Sequence, residues 1–409
     1  MAEISDIRIT QMSAAKGGGR HLLCCEDRYF EANDRVADLV RTLQLYPDSL
    51  EAGIDAYVEK CGGRYSARQI ADFVDKSVKP ILRPTNEKER RRQFMYEKEL
   101  LSAQAVDRFS DALSCLFNRW VMWAVIAVTL AADVWFMATA SGLWRIGSDV
   151  DVYVVFGLMA FMGFSSFFHE LGHASACKHY GIRHGGIGFG MYLTFPVLYT
   201  DVTRIWELSR RQRMAVNLAG VYFQCFILLA LIGLYWLTGY DMLRYLALAM
   251  NLGFLLVMNP FFRFDGYWIA SDLLGVPNLR RHSQALLGYL WKRLLRRPAG
   301  DKPYLLRLQG WEKWGMAVYS VAVTAFMSYY FFYLIPMFLY RFAMTFPQVA
   351  TEIFTYLASG LTPPFALLHN ALGQLLFLAM IGYMIYGLAR PYYKRFRACL
   401  KDDRFKARL

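Results

Sequence analysis

Long apolar runs separated by short polar segments dominate the chain from about residue 119 onwards. Six such runs occur, at roughly 119–141, 152–179, 214–238, 242–264, 314–340 and 366–389. Each is near or above the roughly 20 residues that a helix needs to cross a bilayer. We therefore predict an α-helical polytopic membrane protein with about six transmembrane helices.

The first 85 residues have a different pattern. The segment 21–33 predicts a β-hairpin, and the apolar spacing within 34–46, 49–62 and 66–84 indicates three helices. Short strands followed by three helices are expected of a small α+β, winged-helix-like unit. We predict that residues 1–85 form such a domain on the cytoplasmic side of the membrane.

Composition and charge agree with a membrane protein. Of the 409 residues, 56% are hydrophobic and 19% charged, and the net charge is +13. The basic connections all fall on one predicted side: the N-terminal part, 203–213, 278–297 and 390–409. The positive-inside rule then places both termini in the cytoplasm, which explains most of the basic charge without nucleic acid. We expect the protein to lie in the inner (cytoplasmic) membrane of the cell. The first twenty residues lack an apolar core, so we expect no cleavable signal peptide.

The end of the second run carries the strongest chemical motif. His169 and His173 are four residues apart, so both imidazoles lie on one face of a helix and can reach the same metal ion. Glu170 lies beside them, where it can take a proton from a metal-bound water. This HExxH spacing is typical of zinc hydrolases. Ionisable side chains inside a membrane span are costly and usually functional.

A zinc site of this kind needs a third protein ligand. His179 points roughly 120° away from His173 on an unbroken helix, so we do not expect it to bind. Asp265, at the end of the fourth run, is expected at about the same depth in the bilayer as His169. It is therefore the favoured third ligand. Pro260 and Gly266 predict a broken helix around it. The alternative for Asp265 is an ion pair with Arg263.

Other polar residues in the apolar runs have less specific interpretations. Asn217 and Gln224 share one face of the third run, and Asn217 either assists substrate or oxyanion binding or joins two helices. Asp133 in the first run either has a function or bonds to a neighbouring helix. The glycine-rich segment 181–201 either offers an edge strand to an extended substrate or closes the fold as a hairpin.

The paired motifs HELGH at 169–173 and NPFFRFDG at 259–266 resemble those of the site-2 protease family of intramembrane zinc metalloproteases. The resemblance implies one bound Zn²⁺, with His169, His173 and Asp265 as ligands and Glu170 as catalytic acid/base. It also implies that Asn259 helps to hold the substrate, and that a three-helix catalytic core spans roughly 150–275. The family usually has Gly-Pro in its middle core helix, whereas Val221 follows glycine here.

Two further segments, 195–206 and 265–280, are similar to those of bacterial peptide zinc metalloproteases. Proteins of that group accompany peptide-modifying enzymes and secretion or ABC-exporter partners. Residues 1–85 also resemble PqqD-like peptide-recognition domains, which implies that they bind the leader of a peptide substrate.

Together these features predict a membrane zinc metalloendopeptidase of the site-2 protease type. Its substrate is expected to be a small, ribosomally made, modified or leader-bearing peptide or a membrane-anchored precursor. The alternative is a non-proteolytic peptide-export or transporter subunit that retains a protease fold. The remaining predicted segments are an amphipathic linker helix, a first transmembrane helix, a basic cytoplasmic segment and two C-terminal transmembrane helices with a basic tail, at 86–118, 119–141, 276–313 and 314–409.

Overall fold

The computed structural model describes residues 4–12, 20–25, 28–82, 96–140, 143, 152–192, 195–276, 278–297, 303, 306 and 310–406. Within these residues the chain is mostly helical, with a small strand region near its N-terminus. Three stretches about which the sequence made predictions lie largely outside the described residues. They are the first part of the linker, the first connection between spans, and part of the basic segment, at 86–95, 142–151 and 298–309.

The N-terminal region contains a three-stranded antiparallel sheet followed by helices. The strand order is β1-β2-β3, and β2 and β3 form the hairpin that the sequence predicted over 21–33, with His21 paired to Ala32. The elements are β1 (Arg8–Met12), β2 (Arg20–Cys25), β3 (Arg28–Asn33), α1 (Asp34–Gln44), α2 (Leu50–Lys60), α3 (Ala67–Phe73) and α4 (Lys79–Leu82). The winged-helix topology stays a prediction.

Local sequence explains where these helices start. The side chains of Asn33, Ser49 and Ser66 accept hydrogen bonds from backbone N–H groups in the first turns of α1, α2 and α3, respectively. Such caps satisfy donors that have no partner within the helix. The sheet and helices then bury one apolar core, in which Leu23 and Val40 are almost inaccessible to solvent. This burial holds the small unit together.

Five helices in the described part of the chain are long and apolar enough to cross a membrane. They are α6 (Arg119–Thr139), most of α7 (Val152–His179), α8 (Arg210–Thr238), the continuous pair α12 (Trp311–Tyr329) and α13 (Ile335–Ala358), and the first part of α14 (Phe365–Lys406). Large apolar side chains such as Trp123 and Trp135 on α6 are exposed. An apolar outer surface of this kind is expected where helices face lipid.

The predicted fourth and fifth spans differ from the observed helices. Instead of running through 242–264, helix α9 (Asp241–Val257) has 17 residues and ends before Pro260, which cannot continue a helix. Helices α10 (Asp265–Leu274) and α11 (Leu279–Leu294) follow it. The fifth span, predicted to end at 340, instead continues to Ala358 through a π-helical segment.

The predicted amphipathic linker helix 86–118 also differs from the structure. Residues Tyr96–Leu101 form strand β4, and only Ala103–Leu113 form a regular helix, α5. The partner of β4 is β5 (Ile187–Tyr192), which pairs on its other side with β6 (Phe195–Thr200). The second sheet therefore has the order β4-β5-β6, with β5 in the centre.

Helix α8 is the centre of the membrane part, since it packs against α6, α7, α9 and α10. Glycines allow α7 and α8 to approach closely. A Cβ on Gly172 would lie 2.5 Å from the carbonyl oxygen of Ala219, and one on Gly220 would overlap the imidazole of His169. The absence of side chains at these two positions brings the HExxH face of α7 against α8.

Candidate metal centre

Helix α7 presents both histidines of the HExxH motif towards α8. His169 and His173 are one turn apart and are 7% and 6% exposed. Their Nε2 atoms are 3.1 Å from each other. Two imidazoles that converge in this way offer two adjacent nitrogen atoms as metal ligands in the interior of the helix bundle.

Hydrogen bonds at the opposite ring nitrogens define the tautomers of these histidines. His173 Nδ1 donates to the carbonyl oxygen of Val216 at 2.8 Å, and His169 Nδ1 lies 3.1 Å from Gln224 Oε1. The amide of Gln224 is oriented by its own donation to Ser165 Oγ, at 2.8 Å. Both acceptors need a protonated Nδ1, so in the neutral form of each ring the lone pair lies on Nε2. Partners of this type commonly orient metal-binding histidines.

Asp265, the first residue of α10, completes the group. Its Oδ2 lies 2.9 Å from His169 Nε2 and 3.2 Å from His173 Nε2. This oxygen is buried, yet it makes no hydrogen bond of regular geometry. The alternative ion pair is not formed, because Arg263 is exposed and Asp265 faces the histidines.

The three atoms fit a bound cation. Two imidazole lone pairs and one carboxylate oxygen within 3.2 Å of one another repel each other unless a positive charge lies between them. In a tetrahedral zinc site with bonds of about 2.0–2.1 Å, neighbouring ligand atoms are roughly 3.3 Å apart. The separations in this structure are only slightly shorter. The residues present therefore suit zinc, and three protein ligands would leave its fourth tetrahedral position to water or substrate.

Glu170 belongs to the same cluster. It is 8% exposed, and one ligand atom each of His169, Glu170 and His173 lies within 4.8 Å of the others. Its backbone carbonyl accepts a hydrogen bond from Thr200 Oγ1 at the end of β6, at 3.1 Å. The second sheet is thereby attached to the turn of α7 that carries the motif.

The two asparagines of interest have different surroundings. Asn217 is 4% exposed, lies one turn from Gly220 on α8, and its Nδ2 has no hydrogen-bond partner in the described structure. Asn259 uses its Oδ1 to accept the backbone N–H of Phe261 at 2.8 Å, within the turn before Asp265. Its oxygen therefore supports the local turn, and its amide nitrogen can donate to another molecule.

Asp133 and His179, two further polar residues in the apolar runs, lie away from the histidine cluster. Asp133 on α6 accepts a hydrogen bond from Asn251 Nδ2 on α9 at 2.8 Å, so it joins two helices. His179 packs against the rings of Phe117 and Tyr180. Neither side chain takes part in the cluster around His169.

Sequence reasoning missed two buried polar interactions, one of them at this centre. The spacing of seven residues from Asn217 places Gln224 on the inward face of α8 but does not identify His169 as its partner. The second is the buried ion pair of Arg213 and Asp272. Its signal was an arginine and a carboxylate next to apolar runs, where unpaired charges are costly.

Comparison with known proteins gives one distant similarity. A stretch of 116 residues, 28% of this chain, is 22% identical to the Bacillus subtilis (strain 168) protein named "Putative peptide zinc metalloprotease protein YydH". The matched part spans 33% of that protein's length. No protein-family profile and no solved structure matches the chain. The similarity is to a protein named as a metalloprotease, and it agrees with the chemistry of the histidine cluster.

Proposed function

We propose that this chain is a zinc-dependent endopeptidase of the membrane, of the site-2 protease type. The observation that carries the proposal is the convergence of His169 Nε2, His173 Nε2 and Asp265 Oδ2 beside Glu170. We assign the first three residues as zinc ligands and Glu170 as the catalytic acid/base. The distant similarity to a protein named as a peptide zinc metalloprotease supports the same class.

The chemistry follows from the position of each side chain. Zinc, when bound, would polarise the scissile carbonyl and lower the pKa of its water towards about 7. The carboxylate of Glu170 accepts the proton of the attacking water and returns it to the leaving amine nitrogen. A general acid–base step of this kind is worth about 10²–10⁴ in rate. The buried Nδ2 of Asn217 donates to the substrate's carbonyl oxygen, and Asn259 Nδ2 holds the peptide nearby.

The second sheet supports a docking mode for the substrate. Since β5 is paired on both sides, it cannot accept a further strand. In the described structure β6 is an edge strand, and its last residue, Thr200, bonds to Glu170. We therefore place an extended peptide along β6, where main-chain hydrogen bonds would lead it towards Glu170. A helical precursor must unwind before it can bind in this way.

The substrate class and cellular context belong to the same proposal. We expect a small, ribosomally made or membrane-anchored precursor, processed at the inner membrane with both termini of the enzyme in the cytoplasm. Residues 1–85 would recognise the leader of that precursor, and exporters would remove the product. The resemblances of the sequence and the basic connections support this assignment; a direct leader-binding measurement on the full chain tests it.

The experiment uses purified protein, zinc analysis and a library of internally quenched peptides joined to an apolar anchor. We expect the wild type to bind one zinc ion and to cleave library members. Glu170→Gln should keep the zinc and lose at least about 10²-fold in rate, whereas Asp265→Ala should lose the metal. Equal cleavage by Glu170→Gln and wild type would contradict the proposed mechanism. Cleavage by neither variant nor wild type would favour a peptide-export subunit with a protease fold.

A further inference from the structure

Two arginines from the start of α8 hold the far end of the helix that carries Asp265. Arg210 Nε and Nη2 donate to the carbonyl oxygens of Asp272 and Leu273, each at 2.8 Å. These carbonyls lie in the last turn of α10, where backbone acceptors have no partners within the helix. A Cβ on Gly275, just beyond that turn, would meet the guanidinium of Arg210 at 2.8 Å. The contact is therefore close-packed.

Arg213 binds the side chain of the same turn. Its Nη2 and Nε lie 2.6 Å and 2.7 Å from Asp272 Oδ1. Both residues are 5% exposed, and Arg213 also lies under the ring of Trp206 at 5.2 Å. Trp206 in turn meets the edge of Trp268, on the same helix as Asp265, with ring centroids 6.2 Å apart.

The metal ligand and this anchor are at opposite ends of one short helix. Helix α10 has 10 residues, and a helix of that length is roughly 15 Å long. A single straight helix moves as a unit, so a shift at Asp272 is transmitted to Asp265. Metal–ligand distances tolerate changes of only about 0.2 Å. Small displacements of the anchored end are therefore enough to remove Asp265 from the site.

We propose that Arg213 and Asp272 are positioning residues for the zinc centre, which hold α10 at the height where Asp265 reaches the two histidines. The inference rests on the assignment of Asp265 as a zinc ligand. An arginine suits this role because its planar fork places two donors on one carboxylate oxygen, whereas lysine supplies only a flexible point charge. The pair touches neither metal nor substrate.

The test measures zinc affinity by competition with a chromophoric chelator and the visible spectrum of the Co²⁺-substituted protein. We expect Arg213→Met to bind zinc about 10–100-fold more weakly, the range found when groups that orient metal ligands are removed. Its cobalt spectrum should also change. Arg213→Lys keeps the charge without the fork, so it should bind zinc weakly too, and it decides the question if Arg213→Met does not fold.

Arg244→Met is the matched control. Arg244 is also buried, at 3% exposed, and lies 3.3 Å from the carboxylate of Asp241, but on α9 rather than at the end of α10. It should lower thermal stability without changing zinc affinity or the cobalt spectrum. A folded Arg213→Lys with wild-type affinity and spectrum would overturn the inference. If Asp265→Ala itself kept zinc, the proposed function would fail instead, so the two failures are distinguishable.

Discussion

Replacing Gly220 by alanine tests how closely α8 supports the histidine cluster. The added Cβ would lie 2.6 Å from His169 Cδ2 and closer still to two other ring atoms. Non-bonded carbon atoms prefer about 3.5–4.0 Å, so the imidazole must retreat by roughly 1 Å. The bond between zinc and a ligand tolerates only about 0.2 Å. Gly220→Ala should therefore remove His169 from the metal.

Stability should respond less than metal binding. Overpacking costs about 1–3 kcal/mol, and alanine returns about 1 kcal/mol of helix propensity relative to glycine. The free energy of unfolding should thus fall by no more than about 2 kcal/mol. Removing a group that hydrogen-bonds to a metal ligand lowers metal affinity by about 10–100-fold. Zinc affinity should fall further in Gly220→Ala, because a ligand itself is displaced.

The assay combines zinc content, zinc affinity and thermal unfolding of the purified protein. Gly233→Ala is the control, because it lies on the same helix and a Cβ there meets nothing within 4 Å. Helix propensity makes this control slightly more stable, with one zinc ion retained. A folded Gly220→Ala protein that binds one zinc ion with wild-type affinity would refute the geometry described for α7 and α8.

Three further predictions concern the surroundings of the site. Gln224→Leu should weaken zinc binding about 10–100-fold, because the Nδ1 of His169 loses its acceptor; unchanged affinity would contradict this role. Asp133→Leu should lower the free energy of unfolding by only about 0.6 kcal/mol and leave zinc bound, since it removes one hydrogen bond between helices. The hydrogen bond from Lys178 lowers the pKa of Asp107, so its contribution to stability is present above about pH 3.9 and is lost as the pH falls through that lowered pKa. The melting temperatures of wild type and Asp107→Asn should therefore differ at pH 6 and approach each other as the pH is lowered below about 3.9.

The sequence predicted those parts of the site that depend on regular spacing. His169 and His173 had to share a face because they are one helical turn apart, and Asp265 followed from its depth beside a proline. Position within a helix is a local property, so it can be read without the fold. The assignment of these residues to zinc remains the proposal that the experiments address.

Features that depend on tertiary partners could not be predicted. Strand β4 pairs with residues some ninety positions later, and its charged sequence alone favours part of an amphipathic helix. The long continuation to Ala358 carries few charges, which suits a loop and a helix equally. The role of Gln224 depends on which side chain of α7 faces it, and Asp272 lies 59 residues after Arg213 in the sequence.

X-ray absorption at the zinc edge of the purified protein tests the central claim most directly, because it reports the atoms bound to the metal. The proposal predicts about one zinc ion per chain, with nitrogen and oxygen neighbours at about 2.0–2.1 Å. It also predicts the outer-shell scattering of two imidazoles, one of them lost in His173→Ala. A sulfur neighbour at about 2.3 Å, or zinc retained with two imidazoles in His173→Ala, would contradict the assignment.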